Sequence, residues 1–429
     1  DIRRYLLRGG SVKDIINNAY NPNPRYAREI NLEDDLKEIL REKPNIIVPI
    51  VNNKNQIKDI YTDKRHAFFP IYRPHLYGKE MEYVVDCLDS NWISSQGEYV
   101  KKFESQFNSL INKDYTSVAV SNGTVALFLA LKALGVSTGD KIAVPALTFA
   151  ATANAVVHAG AEPVFIEIDR ETWCMDTKAL EKATQSGLKG FISVDLYGNS
   201  CESLELREIA DKYKLLFIED AAEALGTNYR STHVGSYSDA VTFSFFGNKT
   251  VTTGEGGLVA FKNKKVAEFS RVLRDHGMDP SRRYWHNIVG YNLRLTNLQS
   301  ALGVAQMERL DKIIERKQYI NGLYKKHLDS KFIFQKESCF TKSSWWLNSC
   351  LLPENISRDS FIKSCKNDGV EIRPGFYPLN EMPQFKNCIN HLNHITNSIS
   401  NRIISLPSST STSEADIVFI TKIANKNIL

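Results

Sequence analysis

The chain has 429 residues, of which 42% are hydrophobic and 24% are charged, a balance typical of a soluble globular protein with two or three domains. The net charge of +5 is small for this length and no dense basic block occurs, so nucleic acid is not an expected partner. No apolar run is long enough to span a membrane and no signal peptide is recognisable, so a membrane is not an expected partner either.

The seven cysteines are scattered along the chain and form no CxxC pair, so they indicate neither a zinc site nor a disulfide framework. We therefore expect cytosolic thiols that pack in the core, a cytoplasmic protein and no bound metal. Because the first residue is Asp1 and not Met, we also expect the chain to be part of a longer one.

The first 66 residues differ in pattern from the rest. The segment 1–10 is predicted to open a basic helix, and 32–41 is predicted to form an amphipathic helix. Two strands are predicted at 46–51 and 56–62, because apolar and β-branched residues there flank the turn 52–55.

This helix–strand–turn–strand order resembles part of a CBS domain, the adenosine-nucleotide sensor module. The opening Asp1-Ile2-Arg3-Arg4 resembles the end of a preceding CBS repeat, cut inside its ribose-binding motif. In the second repeat, Arg65 stands where the ribose-binding aspartate is expected. The resemblance implies an adenine nucleotide as ligand. The alternative is a docking or linker domain that binds no ligand.

From Phe68 onwards, apolar strands alternate with helices. Apolar strands separated by helices indicate an α/β fold with a mostly parallel sheet that helices cover on both faces. In such sheets, ligands bind at the carboxyl ends of the strands. Helices are predicted at 77–89, 125–134 and 203–213, and strands at 118–120, 141–145, 163–168, 190–195, 215–219, 240–246 and 257–261.

One long helix is predicted over 297–328, because Leu and Ile recur there at helical spacing. Strands near 346–351 and 370–373 and a helix near 359–368 indicate a smaller α+β domain. The serine-rich run 408–413 is expected to be a solvated loop that caps the last helix. We therefore predict three parts, 1–66, 67–310 and 311–429.

The first chemical candidate is Lys249, which lies between the aromatic strand 241–246 and a turn rich in threonine and glycine. A lysine that is fixed and partly desolvated is a nucleophile for carbonyl groups. Ser244, five residues earlier, is placed to bind a phosphate. The alternative is a strand-end lysine that pairs with Glu255.

A second candidate is the turn 121–124, which joins a strand to a helix. Backbone N–H groups at a helix N-terminus bind anions, and Gly123 lets a phosphate approach closely. Ser244 would add a hydroxyl to the same phosphate. The alternative is a turn that only caps the helix.

A third candidate is a pair of carboxylates after the apolar strand 215–219. A buried carboxylate is costly unless it meets a cation or hydrogen-bond donors, so Asp220 suits a protonated heterocyclic nitrogen. Glu223, three residues later, can reach a neighbouring hydroxyl. The alternatives are helix N-capping by Asp220 and a capping box completed by Glu223.

Phe149 follows another strand, where an aromatic ring can stack on a flat cofactor or simply pack in the core. A carbonyl-reactive lysine, a carboxylate for a ring nitrogen, an aromatic platform and a phosphate loop are together what pyridoxal phosphate requires. We therefore predict this cofactor, with Lys249 as its covalent anchor and catalytic residue and with Asp220 on its ring nitrogen.

From Phe68 to the end, the chain resembles the DegT/DnrJ/EryC1/StrS sugar aminotransferases, which have the fold of aspartate aminotransferase, the type I fold of pyridoxal-phosphate enzymes. Lys249 argues against the dehydratases of this family, in which a histidine replaces the lysine. The matching motifs are Ser244-Phe245-Phe246-Gly247-Asn248-Lys249, Gly254-Glu255-Gly256-Gly257, Glu219-Asp220-Ala221-Ala222, Asn122-Gly123-Thr124 and Gly290-Tyr291-Asn292-Leu293-Arg294-Leu295-Thr296-Asn297.

The resemblance implies a homodimer with shared active sites, in which the partner subunit's Asn292 helps to hold the phosphate. Two positions depart from the family pattern: Glu223 where many members carry Gln, and Asp195 where many carry His. The cofactor contacts that the resemblance implies within one subunit are Gly123, Thr124, Phe149, Asp220, Glu223, Ser244 and Lys249.

Three further stretches, 91–99, 274–278 and 283–286 with the following 290–292, resemble the members that transfer the amino group of L-glutamate to the 4-keto carbon of GDP-4-keto-6-deoxymannose. A guanidinium suits forked anions, so Arg373 is a candidate for a diphosphate or carboxylate, or else forms a surface ion pair. The substrate contacts implied are Trp92, Ser94, Ser95, His286 and Arg373.

The expected role is therefore amino transfer to a nucleotide-linked keto sugar for O-antigen or other polysaccharide biosynthesis. One alternative is a keto sugar carried on UDP or dTDP and aminated at position 3 or 4. The other is a nucleotide-sensing regulator without catalytic activity, against which the intact set of Lys249, Asp220 and Ser244 argues.

Overall fold

The computed structural model describes residues 25–42, 48–61, 69–338 and 340–428. These residues belong to two compact units, Asp1–Phe68 and Phe69–Leu429. The segment 1–10, predicted to be helical, and Arg65 lie outside the described residues. Across the described ranges, we find no helix with the length and apolar character needed to cross a membrane.

In the first unit, the strand Ala27–Arg28 pairs in parallel with Val48–Val51, which pairs in antiparallel with Ile57–Tyr61. The short 3-10 turn Glu29–Asn31 leads into the helix Leu32–Glu42. A small apolar cluster holds the unit together and consists of Ala27, Leu36 and Val48 with Leu32 and Ile39 against them. The predicted helix and both predicted strands are therefore present.

An eight-stranded sheet is the centre of the second unit. Its strands are β1 (Thr116–Val120), β2 (Lys141–Pro145), β3 (Glu162–Ile166), β4 (Gly190–Val194), β5 (Leu216–Asp220), β6 (Ala240–Ser244), β7 (Gly257–Phe261) and β8 (Asn390–His391). Across the sheet they lie in the order β8-β3-β2-β4-β5-β6-β7-β1, and β7 alone runs against the direction of the other strands. The mostly parallel sheet is thus confirmed.

Successive residues of a strand point to opposite sides of the sheet. Because the strands are apolar at successive positions, both faces of the sheet are apolar. In β2, Ile142 and Val144 join the core formed with the helix Gly123–Ala133, whereas Ala143 joins the core formed with Ser203–Tyr213. The other described helices of the unit are Glu80–Asp89, Glu98–Ile111, Ala151–His158, Thr177–Ala183, Lys264–Arg274, Asn297–Met307, Leu310–His327, Arg358–Asn367, Ile395–Ser400 and Glu414–Lys426.

The C-terminal part contains an antiparallel sheet of its own, in the order Ile333–Phe334, Asn348–Leu351, Ile403–Leu406 and Arg373–Pro374. Its core includes Ile404 and Leu406 from this sheet and apolar residues of the neighbouring helices. A further three-stranded sheet joins Thr232–His233, Asn228–Tyr229 and Thr341–Lys342. Short 3-10 turns lie at Thr184–Ser186, Leu196–Gly198, Leu379–Glu381 and Pro383–Phe385.

The prediction of one helix over 297–328 is wrong, because the chain breaks into two helices at Glu308 and Arg309. Arg309 leaves the helical conformation (φ −128°, ψ 21°), donates to the carbonyl oxygen of His75 at 2.9 Å and pairs with Glu80. The Glu308 carboxylate accepts a hydrogen bond from the Tyr83 hydroxyl at 2.8 Å. Hydrophobic periodicity does not register such polar contacts with a distant segment.

The prediction of a solvated loop at 408–413 holds only at its end. Ser413 caps the helix Glu414–Lys426 by accepting from Asp416 N, and the Asp416 side chain caps Ser413 in return. Ser408, in contrast, is buried, and its hydroxyl accepts a hydrogen bond from Asn348 N at 2.8 Å. The first part of the run therefore belongs to the interior, where its hydroxyls serve neighbouring backbone groups.

Candidate active site

The Lys249 backbone is held from three directions. Its N–H donates to the Phe246 carbonyl at 2.9 Å, and its carbonyl accepts from the Tyr72 hydroxyl at 3.0 Å. The preceding carbonyl, that of Asn248, accepts from the indole N–H of Trp346 at 2.7 Å. The lysine side chain is only 13% exposed. The turn after β6 thus presents one largely desolvated amine in a fixed place.

The Lys249 amine lies between a carboxylate and an aromatic face. Its Nζ is 3.5 Å from Glu223 Oε1 and 3.8 Å from the centroid of the Trp346 ring. The sequence left open a pair with Glu255, but the carboxylate that Lys249 meets is Glu223. Glu255 is exposed.

Asp220 ends β5 and is 5% exposed. Its Oδ2 accepts from the Thr152 hydroxyl at 2.8 Å and its Oδ1 from Ala222 N at 3.2 Å. Burial raises the pKa of Asp220, and the bonds from Thr152 and Ala222 and the charge of Lys249 oppose that rise only in part. No regular helix follows, so Asp220 does not act as a helix cap. A cationic ring nitrogen would stabilise its charged form.

Glu223 is buried to the same degree, with its Oε2 accepting from Tyr197 N at 2.9 Å and its Oε1 facing Lys249. Burial raises the pKa of Glu223, whereas the Lys249 charge and the Tyr197 N–H lower it. Tyr197 has a positive φ of 58°, a conformation that non-glycine residues rarely adopt. The turn that contains Tyr197 therefore directs a backbone donor at this carboxylate.

Gly123 and Gly257 bring three chain segments into close contact. A Cβ atom on Gly123 would lie 2.7 Å from the Cβ of Ser244, and one on Gly257 would lie 2.3 Å from the carbonyl oxygen of Asn122. The Asn122 side chain caps the helix Gly123–Ala133 by accepting from Val125 N at 3.0 Å. The helix N-terminus and the Ser244 hydroxyl thus lie side by side, an arrangement suited to a phosphate.

Phe149 is 59% exposed, so it does not pack in the core. Its ring centroid is 5.8 Å from that of Phe376. Phe376 in turn stacks on Tyr197 at 5.4 Å, and Tyr197 stacks on Trp346 at 6.3 Å. An exposed ring at the end of this aromatic row can cover the face of a flat cofactor.

The other predicted residues lie outside this cluster. Asn292 is exposed and its backbone bridges to Asp275, and His286 is exposed with Nδ1 at 2.9 Å from the His276 carbonyl. Arg373 forms the surface ion pair left open by the sequence, at 2.9 Å from Glu371. In the part of the chain described, no hydrogen bond or ion pair joins these side chains to Lys249. Exposed positions are also occupied by Trp92 and Ser94, and Ser95 is half-buried.

Sequence reasoning missed Trp346, Tyr72 and Thr152, although each contacts Lys249, its backbone or Asp220. Only Trp346 carried a signal, because two of the five tryptophans are adjacent at 345–346. Tyr72 and Thr152 have no neighbours in the sequence that would distinguish them. Their roles follow from tertiary packing alone.

The departure at Asp195 produces a buried pair of carboxyl groups. The carboxyl groups of Asp195 and Glu219 are buried next to each other, and Asp195 Oδ1 accepts a hydrogen bond from Cys201 N at 3.0 Å. Burial and the neighbouring Glu219 raise the pKa of Asp195, and burial raises that of Glu219. Two adjacent buried carboxyl groups are stable when they share one proton. The pair lies directly behind Asp220, whose carbonyl accepts from Asp195 N at 3.1 Å.

The sequence profile of the DegT/DnrJ/EryC1/StrS aminotransferase family matches residues 74–424. The chain belongs to this family. It is 41% identical over 360 residues to GDP-perosamine synthase of Escherichia coli O157:H7, a match that covers 84% of this chain and 98% of that protein. It is 40% identical over 343 residues to GDP-perosamine synthase of Vibrio cholerae, covering 79% and 93%.

Solved structures of the family agree with this assignment. The putative sugar aminotransferase Spr1654 from Streptococcus pneumoniae, in its PMP form, is 26% identical with a TM-score of 0.78, over 84% of this chain and 98% of that one. Helicobacter pylori PseC is 24% identical with a TM-score of 0.79, over 84% and 99%, which supports the fold. The chain is thus a pyridoxal-phosphate-dependent sugar-nucleotide aminotransferase with the type I fold.

Proposed function

We propose that this aminotransferase moves the amino group of L-glutamate to the 4-keto carbon of GDP-4-keto-6-deoxy-D-mannose and so forms GDP-perosamine. The observation that carries the proposal is the identity of 41% over nearly the whole length of a GDP-perosamine synthase. A second such enzyme, at 40% identity, supports it. The product would serve O-antigen or other polysaccharide biosynthesis in the cytoplasm.

The residues around Lys249 fit pyridoxal phosphate. Gly123, Thr124 and Ser244 would hold the phosphate, because the close approach of Gly123 to Ser244 brings the helix N-terminus next to the Ser244 hydroxyl. Asp220 would pair with the ring nitrogen. When bound, the cofactor supplies a ring that accepts electrons from the reacting carbon. The remaining contacts would be Phe149 on the ring face, Glu223 at the ring hydroxyl and Lys249 as covalent anchor.

The proposed catalytic group is the Lys249 amine. When its amine is free, Nζ would take a proton from the reacting carbon of the substrate and would then donate that proton at the next protonation step. Glu223 Oε1, at 3.5 Å, would hold the amine in place between these transfers. Thr152 and Ala222 keep Asp220 in position by hydrogen bonds, so the two charges remain apart.

We further propose a homodimer in which the partner subunit's Asn292 completes the phosphate site. Asn292 is exposed in the single chain and lies on a ribbon, residues 275–292, with exposed apolar side chains. Trp92, Ser94, Ser95, His286 and Arg373 would contact the nucleotide sugar or glutamate. Substitution of these five residues should raise the KM for one substrate and leave cofactor binding unchanged. If substitution of one of these residues leaves the KM for both substrates unchanged, that residue contacts neither substrate.

For the N-terminal segment we propose a CBS-like module, residues 1–66, that binds an adenine nucleotide. The strand–helix–strand–strand order of the described residues supports it. Calorimetric titration with AMP and ATP tests this role, and absence of binding would favour a docking or linker domain. The catalytic part would consist of a cofactor-binding domain over 67–310 and a small domain over 311–429.

The experiment that tests the catalytic proposal is an amino-transfer assay with L-glutamate and keto sugars on GDP, UDP and dTDP. Mass spectrometry of the amino-sugar nucleotide reports each reaction, with the Lys249→Ala protein as the blank. We expect the GDP-linked 4-keto-6-deoxy sugar to react with the highest kcat/KM. If a UDP- or dTDP-linked sugar reacts with a higher kcat/KM, that sugar is the substrate instead. If no sugar reacts, the alternative of a regulator without catalytic activity is favoured.

A further inference from the structure

Trp346 contacts Lys249, the residue before it and the tyrosine whose backbone holds Glu223. Its ring face lies 3.8 Å from Lys249 Nζ. Its indole N–H donates to the Asn248 carbonyl at 2.7 Å, so the ring cannot turn away from the lysine without breaking that bond. Its ring also stacks on Tyr197, whose N–H holds Glu223. One buried side chain thus touches both the lysine and the turn that holds its carboxylate partner.

The backbone of Trp346 is held by Lys317. The Lys317 Nζ donates to the Trp346 carbonyl at 3.0 Å and to the Ser408 carbonyl at 3.5 Å. Lys317 is buried, and no carboxylate pairs with it among the residues the structure describes. The tryptophan is therefore fixed through its ring nitrogen, its stacked face and its carbonyl.

We propose that Trp346 is a positioning residue for Lys249, and that its indole face binds the ammonium form of this lysine whenever the side chain is not bound to the cofactor. The inference rests on the proposed role of Lys249. An ammonium over an indole face is attracted by the negative charge of the π system, and the attraction is larger when the pair is shielded from water. Glu223 and Trp346 then hold the amine from two sides.

The contact between the ammonium and the indole face has a chemical consequence. In the proposed role, Lys249 is bound to the cofactor at some stages and carries a proton at others. Without a contact to its amine, the flexible four-carbon side chain would move into solvent, where the proton would exchange with water. A tryptophan attracts the charged amine without forming a strong directional bond, so the amine is stabilised and still free to move. The charge can therefore stay near the reacting carbon during the proton transfer.

The test measures the free Lys249 amine in the full-length holoenzyme. Excess L-glutamate without a sugar acceptor releases Lys249 from the cofactor, and after rapid desalting an amine-reactive acylating reagent labels it. Peptide mapping then gives the labelling rate of Lys249 as a function of pH. The variants are Trp346→Leu and Trp346→Phe. The matched control is Trp345→Leu, because Trp345 is equally buried and lies against Lys325 instead.

We expect Trp346→Leu to raise the Lys249 labelling rate roughly 3- to 30-fold at pH values below the midpoint, because the ammonium form loses its aromatic partner. The rate on the high-pH plateau should not change. Trp346→Phe should shift the midpoint less, since a smaller π face remains. Asp220, Glu223 and Tyr72 face Lys249 in every variant and keep their chemistry. The kcat should fall in the same order while the KM for the sugar stays constant.

Three results would overturn the inference. A higher plateau with an unchanged midpoint in Trp346→Leu would mean that the tryptophan only shields the lysine. An equal midpoint shift in Trp345→Leu would mean a general loss of packing. Lys249 that glutamate does not expose to the reagent in the wild-type enzyme would overturn its proposed role and the inference with it. These outcomes differ, so a failure of Lys249 is not confused with a failure of Trp346.

Discussion

The pocket around Lys249 buries charge, whereas the ribbon formed by residues 275–292 exposes apolar side chains. In the pocket, Asp220 and Glu223 are only 5% exposed. On the ribbon, Val289 is 89% exposed, and Tyr284 and Trp285 are also in solvent. The ribbon is nonetheless ordered, with backbone bridges from Asp275 to Asn292 and from Met278 to His286.

The two regions deviate from ordinary burial in opposite directions, and each deviation is costly without a partner. A buried carboxylate loses its hydration, and an exposed aromatic ribbon keeps apolar area in contact with water. A small ligand that brings a cationic nitrogen and a phosphate would stabilise the pocket. For the ribbon we propose a second copy of this chain as the partner that would cover its apolar side chains. The contrast predicts that the pocket governs chemistry and the ribbon governs assembly.

The largest effect is expected for Lys249→Ala, which should lower kcat by more than about 1,000-fold, because it removes both the covalent anchor and the proton carrier. Borohydride reduction of the wild-type holoenzyme followed by peptide mapping should find the cofactor on Lys249. The exposed Lys264→Ala is the matched control and should retain full activity. Cofactor found on another lysine would contradict the assignment.

The next effect is expected for Asp220→Asn. The cofactor should stay bound, but loss of the charge pair with the ring nitrogen should cost on the order of 2–5 kcal/mol in the activation barrier, roughly 30- to 5,000-fold in kcat. Thr152→Val removes only one hydrogen bond to Asp220 and should cost about 1 kcal/mol. Near-normal turnover of Asp220→Asn would show that another group faces the ring nitrogen.

A smaller effect is expected for Lys317, a buried charge beside the pocket. Burial lowers its pKa from 10.5 to about 7. Above pH 7 the unfolded chain therefore binds more protons at this site than the folded chain does, so folding becomes more favourable as pH rises from 7 towards 10.5. Between pH 7 and 9 the gain is on the order of 2–3 kcal/mol.

Urea unfolding of the wild type and of Lys317→Met at several pH values measures this gain. The variant lacks the titrating group, so the difference in unfolding free energy between the two proteins should change with pH by that amount. Lost hydrogen bonds to Trp346 and Ser408 shift the difference equally at every pH. Lys312→Met, exposed on the same helix, should show no such slope. If the difference in unfolding free energy between the wild type and Lys317→Met does not change with pH, the Lys317 ammonium is solvated in the folded protein.

Much of the pocket was predictable because its residues follow strands. Lys249 and Asp220 come at fixed distances after the apolar runs of β6 and β5, and parallel strands bring their carboxyl ends to one edge. The mostly parallel sheet was also indicated by strand–helix alternation, whereas the order of its strands was not predicted. Trp346 and Lys317 were not predictable, since Trp346 comes from the loop before the strand Asn348–Leu351 and Lys317 contacts it from the helix Leu310–His327, both far from Lys249 in the sequence. The helix break at Arg309 escaped for the same reason.

The smallest effect, a recovery of at most half the activity, tests whether the ribbon completes the partner's site. A phosphate beside Thr124 and Ser244 has more oxygens than one loop and one hydroxyl satisfy, so a donor from a second chain is chemically reasonable. The alternative is that Asn292 serves only its own chain, next to its backbone partner Asp275. Mixed dimers of Lys249→Ala and Asn292→Ala chains separate the two arrangements.

With shared sites, a mixed dimer has one site carrying both substitutions and one site carrying neither, so the intact site restores up to half the activity per dimer. With unshared sites, each site carries one substitution and the mixture stays as inactive as its components. The Asn292→Ala homodimer must first show a clear loss of activity, because otherwise both arrangements would give the same readout. Reshuffled wild-type chains are the control for subunit exchange. Recovery would assign the exposed ribbon a place in the pocket of the other chain and so join the two regions in one site.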